Sequence, residues 1–147
     1  YLEQLFTFSG PARDPRGWSV SVEYYALLPA VLLDHSQVAE TVSAEALPPL
    51  PFDHGQIVAQ AIERLRSKAT YSSLPAFLLP AEFTLSELHR IYEQTIGARL
   101  DKASFRHKIL EQGIIEPLPD RFRGGAHRPA QLYRLTSHAL TPFERKI

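Results

Sequence analysis

The chain has 147 residues, of which 44% are hydrophobic and 22% charged, and it contains no cysteine. These values are those of one ordinary globular domain, or of a small domain and a piece of another, and they argue against a disordered chain. The lack of cysteine excludes a disulfide framework and a thiolate zinc site, and it is typical of a cytoplasmic protein. The longest apolar stretch, 24–33, is too short to cross a bilayer, and we expect no membrane span and no secretory signal.

The formal net charge of zero conceals an asymmetry between the two halves. Residues 1–70 contain 5 Lys/Arg and 8 Asp/Glu, a net of −3, whereas residues 71–147 contain 11 and 8, a net of +3. Within 99–134, 8 basic residues outnumber 4 acidic ones. Because phosphate contacts depend on the local field, the second half is the candidate region for a polyanionic partner.

The first fifty residues predict two strands and a connector. Residues 1–8 are strand-like, and in 19–28 apolar and polar residues alternate with the period of a half-buried strand. Residues 9–17 have the composition of a loop, and 34–51 end in a proline-rich run typical of a connector. Two strands cannot form a core alone. Since the sequence opens inside an apolar run and has no methionine, we interpret it as a piece of a longer protein.

The first of three predicted helices begins at Asp53, an N-cap that has Gln56 three residues later and Phe52 as a hydrophobic staple. It should end near 67–69. Its apolar face has helical spacing and consists of Ile57, Val58, Ala61, Ile62 and Leu65.

The other two helices also have clear limits. The second begins at Thr84, which forms a capping box with Glu87, and Gly97 is a left-handed stop. The third begins at Asp101 and ends before Gly113. Its buried side is predicted from the apolar residues Phe105, Ile109 and Leu110.

Two short strands, 114–118 and 130–135, are predicted around a loop rich in glycine and arginine at 120–129. A further short strand is predicted at 76–79. The order is helix, strand, helix, tight turn, helix, hairpin. This order predicts a winged helix-turn-helix over residues 83–135.

The turn between the second and third helices has only four residues, 97–100, and a short turn with glycine is typical of a helix-turn-helix. The third helix can then enter the major groove of double-stranded DNA with its N-terminal residues nearest the base edges. Arg106 is predicted to read guanine through two hydrogen bonds. The other candidates on this helix would contact bases or phosphates: Lys102, Ser104, His107 and Lys108.

The hairpin loop adds dense positive charge beside the glycine pair 124–125, which permits close approach to a phosphate or a groove floor. The DNA-binding candidates there are Arg121, Arg123, His127 and Arg128. Each feature alone has a simpler interpretation, because basic helix faces are often just solvated and capped helix pairs are often scaffold. Their coincidence in this order favours DNA, with a protein-binding winged helix as a weaker alternative.

Other chemistry has little support in the sequence. The six histidines have no metal-ligand spacing, and no nucleophile-elbow, Walker or dinucleotide pattern occurs. Arg13 and Arg16 are candidates for a phosphate-bearing ligand. The alternative is that the acidic residue between them, Asp14, neutralises this charged loop.

Several motifs together resemble the Nudix-related transcriptional regulators, bacterial repressors that join an N-terminal Nudix-like domain to a C-terminal winged helix. Residues 1–28 are similar to the later strands of a Nudix domain of the ADP-ribose pyrophosphatase type. The resemblance implies an α+β fold, with the remnant of a truncated Nudix-like domain and a connector at 1–50 and a winged helix-turn-helix at 51–140. The motifs that carry it are Leu50-Pro51-Phe52-Asp53-His54, Phe83-Thr84-Leu85-Ser86-Glu87-Leu88, Leu100-Asp101-Lys102 with Phe105-Arg106, and Gly124-Gly125 with Arg128-Pro129-Ala130 and Leu132-Tyr133-Arg134.

The resemblance also implies a function. In the family, ADP-ribose or a related NAD-derived nucleotide binds the Nudix-like domain and releases DNA, and the proteins are dimers, which suits a palindromic operator. We therefore expect a cytoplasmic homodimeric repressor that binds double-stranded DNA. The Nudix box, which binds magnesium, is absent from these residues, so we expect this piece not to hydrolyse nucleotides and to hold no cofactor. The alternative is a Nudix hydrolase, magnesium-dependent at full length, with an accessory winged helix.

Overall fold

The computed structural model describes residues 1–33, 41–124 and 129–147. Within these ranges the chain forms two antiparallel sheets and three α-helices, a mixed α and β architecture as predicted. No helix among the described residues is long and apolar enough to cross a membrane. In chain order the elements are β1 (Leu2–Asp14), β2 (Gly17–Ala26), α1 (His54–Ala69), β3 (Phe83–Thr84), α2 (Leu85–Ile96), α3 (Lys102–Glu111), β4 (Ile115–Arg123) and β5 (Ala130–Leu135).

A hydrophobic core lies between α2, α3 and the sheet of β3, β5 and β4. Leu88, Tyr92 and Ile109 have no exposed surface, and the ring of Phe105 meets that of Tyr92 edge-on at 5.2 Å. The Tyr92 hydroxyl donates a hydrogen bond of 2.9 Å to the carbonyl of Ser72. Burial raises the pKa of Tyr92, so this hydroxyl stays a neutral donor. The core thus fixes the two helices of the predicted helix-turn-helix on one another.

Both ends of α2 form as predicted from local sequence. The Thr84 hydroxyl accepts a hydrogen bond from the Glu87 amide at 3.2 Å, and the Glu87 carboxylate accepts one from the Thr84 amide at 2.8 Å. Burial would raise the pKa of Glu87, but the hydrogen bonds from Thr84 and the nearby charge of Arg123 outweigh it and lower that pKa. Gly97 ends the helix with φ of 78°, a left-handed conformation that favours glycine.

Thr84→Ala removes the hydroxyl half of this capping box. We expect the free energy of unfolding to fall by about 1 kcal/mol, because one amide at the start of α2 loses its acceptor. Urea denaturation measures the change. Ser86→Ala, at an exposed position in the first turn of the same helix, is the matched control, and an equal loss in both variants would show that the cap does not stabilise the fold.

The wing is the hairpin formed by β4, β5 and the loop between them. β5 lies between β3 and β4, with Phe83 opposite Tyr133 and Ile115 opposite Leu135. The register of β4 shifts after Pro117, because a proline has no amide to donate to the ladder. Strand β4 continues to Arg123, so the loop is shorter than the predicted 120–129.

Three further local predictions, on a strand, a loop and a buried residue, are wrong. The segment predicted as a strand at 76–79 lies mostly in the 3₁₀ turn Leu74–Leu78, because Pro75 suits the start of a helical turn; the short strand is β3 instead. The predicted loop at 9–17 is mostly β1, and the register shift between Gly10 and Asp14 accommodates the intervening proline. Leu110, predicted to be buried, is 42% exposed because it lies one position past the buried stripe of α3.

The hairpin of β1 and β2 has its apolar row on the outside. Val20, Val22 and Tyr24 are 63%, 50% and 58% exposed, although the alternation predicted for this strand is present. The half-buried row is the polar one, which includes Glu23 and Tyr25. As expected for two strands alone, the hairpin does not bury a core of its own on this face.

Glu3 of β1 connects the hairpin to the last turn of α1. Its carboxylate accepts hydrogen bonds from Lys68 at 2.6 and 2.7 Å, from Tyr25 at 2.9 Å and from the Tyr1 hydroxyl. Arg64 lies 3.6 Å away. Burial would raise the pKa of Glu3, but the hydrogen bonds from Lys68, Tyr1 and Tyr25 outweigh it and lower the pKa.

A lowered pKa of Glu3 predicts acid lability. The contribution of its charged form to stability is present above the unfolded value of about 4.3, and it is lost as pH falls through the lower folded value. We expect Glu3→Gln to be less stable than wild type at neutral pH and to lose less stability on acidification. Thermal unfolding followed from pH 7 to pH 3 measures this, and Lys68→Met should flatten the same window. Parallel profiles for wild type and Glu3→Gln would contradict the assignment.

The tail at 141–147 packs onto the winged helix, and the sequence predicted no element there. Ser73 donates to the carbonyl of Thr141 at 2.9 Å, Phe143 to Tyr71 at 2.7 Å and Ile147 to Thr70 at 2.8 Å. The Phe143 side chain is 7% exposed and belongs to the main core. The core therefore extends past residue 140.

Candidate nucleic-acid interface

The third helix begins as predicted, with Asp101 as its N-cap. The Asp101 carboxylate accepts a hydrogen bond of 2.9 Å from the Ser104 amide, and hydrogen bonds from Ser104 lower the pKa of Asp101. An acidic cap is favourable at the positive end of a helix. The cap leaves the first turn of α3 exposed to solvent at residues 102–104.

The turn that orients α3 is held by two side chains of α2 that are not among the predicted site residues. The buried His89 donates through Nε2 to the carbonyl of Leu100 at 2.9 Å, and Glu93 accepts from the Leu100 amide at 2.9 Å. The His89 ring also meets Phe105 edge-on at 5.1 Å. The signal available in the sequence was the spacing of four residues, which places His89 and Glu93 on one side of a helix.

The basic residues predicted on α3 are on its exposed side. A groove of about 380 Å³ between α2 and α3 brings Lys102, Arg106 and Arg90 to one surface. Arg90 was not among the predicted residues, although it lies one turn after Ser86 on the exposed side of α2. Four of the five residues predicted on α3 are exposed: Lys102, Ser104, Arg106 and His107.

Lys108 differs from its neighbours on α3. Its side chain is half-buried, and its ammonium donates to the carbonyl of Lys146 in the tail at 3.1 Å. The tail also brings Ile147 beside Arg99 and Ser104. Lys108 therefore serves to fasten the tail to α3 as well as being a candidate for phosphate contact.

Two wing arginines are paired with carboxylates near the start of α2. Arg121 lies 2.7 Å from Glu82, and Arg123 is hydrogen-bonded to Glu87, whose other oxygen caps α2. The two arginines are two positions apart on β4, which places them on one side of the strand. Each must exchange a carboxylate for a phosphate if it binds DNA. His127 and Arg128, also predicted here, lie outside the described residues.

The two arginines of the first hairpin have separate acidic partners. Arg16 forms a two-point pair with Asp14, closest at 2.7 Å, and hydrogen bonds from Arg16 lower the pKa of Asp14 to about 2. Arg13 instead pairs with Asp53 and donates to the carbonyl of Phe8 at 2.9 Å. Both guanidinium groups are therefore already bound to protein acceptors.

The pairing of Arg13 contradicts the predicted cap of α1. The helix begins at His54 as expected after an N-cap at Asp53, but the Asp53 side chain makes no capping hydrogen bond. Its carboxylate binds Arg13, a residue forty positions away that no local pattern reveals. Phe52 is no staple either, because it is 64% exposed at a φ of 54°. Across the ranges that the structure describes, no cluster of three His, Asp or Glu residues is placed to hold a metal ion.

Comparisons with known proteins agree on one family. Residues 75–135 match the NrtR DNA-binding winged helix domain. The chain is 44% identical over 140 residues to the ADPR responsive transcriptional repressor NtrR of Acinetobacter baylyi, a match that covers 91% of this chain and 56% of that protein. This chain thus spans little more than half the length of that relative.

Solved structures extend the similarity to the whole chain. This chain superposes on Shewanella oneidensis NrtR complexed with a 27mer DNA with a TM-score of 0.87 and 34% sequence identity. The match covers 100% of this chain and 70% of the Shewanella chain. A second structure of Shewanella NrtR gives a TM-score of 0.85 and 37% sequence identity. A MutT/nudix family protein from Enterococcus faecalis is 23% identical to this chain, with a TM-score of 0.67. The match covers 92% of this chain and 62% of that protein's chain, and it shows a shared fold alone. The chain therefore belongs to the NrtR family of Nudix-related transcriptional regulators.

Proposed function

We propose that this chain binds operator DNA as part of a transcriptional repressor. The observation that carries the proposal is the exposed N-terminal half of α3, which presents Lys102, Ser104 and Arg106 beyond a clamped turn. A helix held this way can enter the major groove with arginine at the base edges and lysine at the phosphates. The wing would add phosphate contacts beside it.

The relatives support this proposal and suggest its regulation. Shewanella NrtR has been solved with DNA bound, and the Acinetobacter relative is named as an ADPR responsive repressor. We propose ADP-ribose as the effector of the full-length protein. The alternative of a magnesium-dependent Nudix hydrolase has weaker support, because the likeness to the Enterococcus protein extends to the fold alone.

We also propose that the repressor acts as a homodimer, because a two-fold symmetric protein matches the two halves of a palindromic operator. Operator DNA lies in the bacterial cytoplasm, so the proposed function implies a cytoplasmic protein. Sedimentation with and without operator duplex tests the stoichiometry, and one protein copy per operator would contradict the dimer.

A salt titration tests the proposed function. Fluorescence anisotropy would compare the duplex from upstream of the protein's own gene with a scrambled duplex of equal length. We expect tighter binding to the native duplex, with an affinity that falls linearly on a logarithmic salt scale as counterions are displaced. Equal affinity for both duplexes would contradict sequence-specific binding, and a flat salt dependence would favour a protein partner.

Arg121→Ala tests the wing. The pair of Arg121 with Glu82 is exposed and so of little net value, which leaves the arginine free to exchange partners. We expect the salt slope to fall by about 1, without a change in sequence preference. The matched control is Arg134→Ala, since Arg134 is equally exposed and paired with Glu116 at 2.6 Å on the neighbouring strand. An unchanged slope in the first variant would show that Arg121 does not contact phosphate.

A further inference from the structure

Two polar contacts fasten the β1–β2 hairpin to opposite ends of α1. At the C-terminal end, Lys68 reaches Glu3 at 2.6 Å. At the N-terminal end, the guanidinium of Arg13 binds both oxygens of Asp53. All four side chains keep less than a quarter of their surface exposed. We call these two contacts the hairpin–α1 joint.

The two contacts of the joint together restrain the orientation of α1. A helix held at one end can pivot, whereas ion pairs at Asp53 and at Lys68 hold α1 near both of its ends. α1 in turn packs on α2, the first helix of the helix-turn-helix. A shift of the hairpin would therefore reach α2 through α1, which is joined to the hairpin by polar contacts and to α2 by packing.

Asp53 occupies the N-cap position of α1, so the amides of the first helical turn are an alternative partner for its carboxylate. In the structure its carboxylate binds Arg13 and makes no hydrogen bond to the first turn of α1. If Arg13 withdraws, the same carboxylate can cap the helix, as its residue type and position favour. The capping bond would replace the lost ion pair, so Asp53 would keep a partner in either arrangement, and a ligand that favours one arrangement would select it.

We infer that the hairpin–α1 joint transmits the state of the nucleotide-binding half to the DNA-binding helices, with the Arg13–Asp53 pair as its switching contact. This role rests on the proposed function, because it assigns the regulation of the same DNA-binding surface. Arg13 is cationic and lies on the part of the chain that resembles a Nudix domain. A movement of that part that draws Arg13 away releases Asp53 to cap α1 and frees the helix to change its packing on α2.

The test uses the full-length protein, operator duplex and ADP-ribose. We expect wild type to lose operator affinity by at least about fivefold when ADP-ribose is saturating, a usual size of allosteric coupling. Arg13→Met should reduce this response to less than about twofold. Arg13→Lys, which keeps the charge, should retain most of the response. The matched control is Arg66→Met, because Arg66 is an exposed arginine of α1 that takes no part in the joint.

A second variant, Asp53→Asn, tests the same contact if Arg13→Met fails to fold. Asp53→Asn cannot form the ion pair but caps a helix as well as aspartate does, so α1 should stay intact. We expect the same loss of response to ADP-ribose. A full response in both Arg13→Met and Asp53→Asn would overturn the role of the joint. A wild-type protein that binds operator but ignores ADP-ribose would overturn the nucleotide regulation itself, and with it the signal that the joint is inferred to carry.

Discussion

Arg106→Ala is expected to weaken binding to operator DNA by about 5- to 150-fold, which corresponds to roughly 1–3 kcal/mol, with little change for a scrambled duplex. Arg106 lies on the exposed side of α3 and lines the groove between α2 and α3. A guanidinium there can donate two parallel hydrogen bonds to a guanine, and these distinguish guanine from the other bases. Anisotropy titrations with both duplexes at one salt concentration measure the ratio.

Lys102→Ala is the matched control for Arg106→Ala. Lys102 lies on the same groove, one turn earlier and next to the N-cap. An ammonium at that place suits a phosphate, which carries no sequence information, so affinity for both duplexes should fall alike and the salt slope by about 1. Equal losses on the two duplexes for Arg106→Ala would assign Arg106 to phosphate and leave base reading to its neighbours.

Elements specified by local contacts could be predicted from sequence. The capping box of Thr84 and Glu87 depends on residues three apart, and the left-handed stop depends on Gly97 alone. Strand β5 has its predicted limits, 130–135, because apolar residues there are bounded by a loop. The order of such elements was enough to identify the winged helix.

Contacts between residues far apart in sequence could not be predicted. Asp53 has the position of a cap, and only the folded chain brings Arg13 to it. The wing arginines likewise pair with acidic residues about forty positions earlier in the chain. Sequence indicates that such residues are charged and exposed, whereas their partners depend on how the elements pack.

The alternating pattern predicted strand β2 but did not show which of its two rows of side chains is partly buried. A two-residue repeat gives a strand two faces, and the face toward α1 is decided by the ion pair and hydrogen bonds of Glu3. The apolar row of Val20, Val22 and Tyr24 consequently lies on the outer face of the hairpin. An alternating pattern therefore predicts the strand more securely than its orientation.

Nothing in the sequence indicated that the tail at 141–147 packs onto the domain. Phe143→Ala, in this tail, is expected to have the largest effect on stability. The segment 141–147 has no periodicity, and its backbone is held by hydrogen bonds to residues 70–73. Phe143 nevertheless enters the core. Deleting its ring should lower the free energy of unfolding by about 3–5 kcal/mol, the usual cost of removing a buried aromatic side chain.

Such a loss is a large part of the total stability of a domain, usually about 5–15 kcal/mol, and it would reach the DNA-binding surface because the tail carries the acceptor for Lys108 on α3. Phe122→Ala is the matched control, since Phe122 is 54% exposed and the same atoms are removed without leaving a cavity. Phe143→Leu, which keeps most of the volume, should cost less than Phe143→Ala and still fold. Urea titrations of the three variants measure the difference. If Phe143→Ala and Phe122→Ala lost equal stability, the tail would be a surface attachment, and α3 would not depend on it.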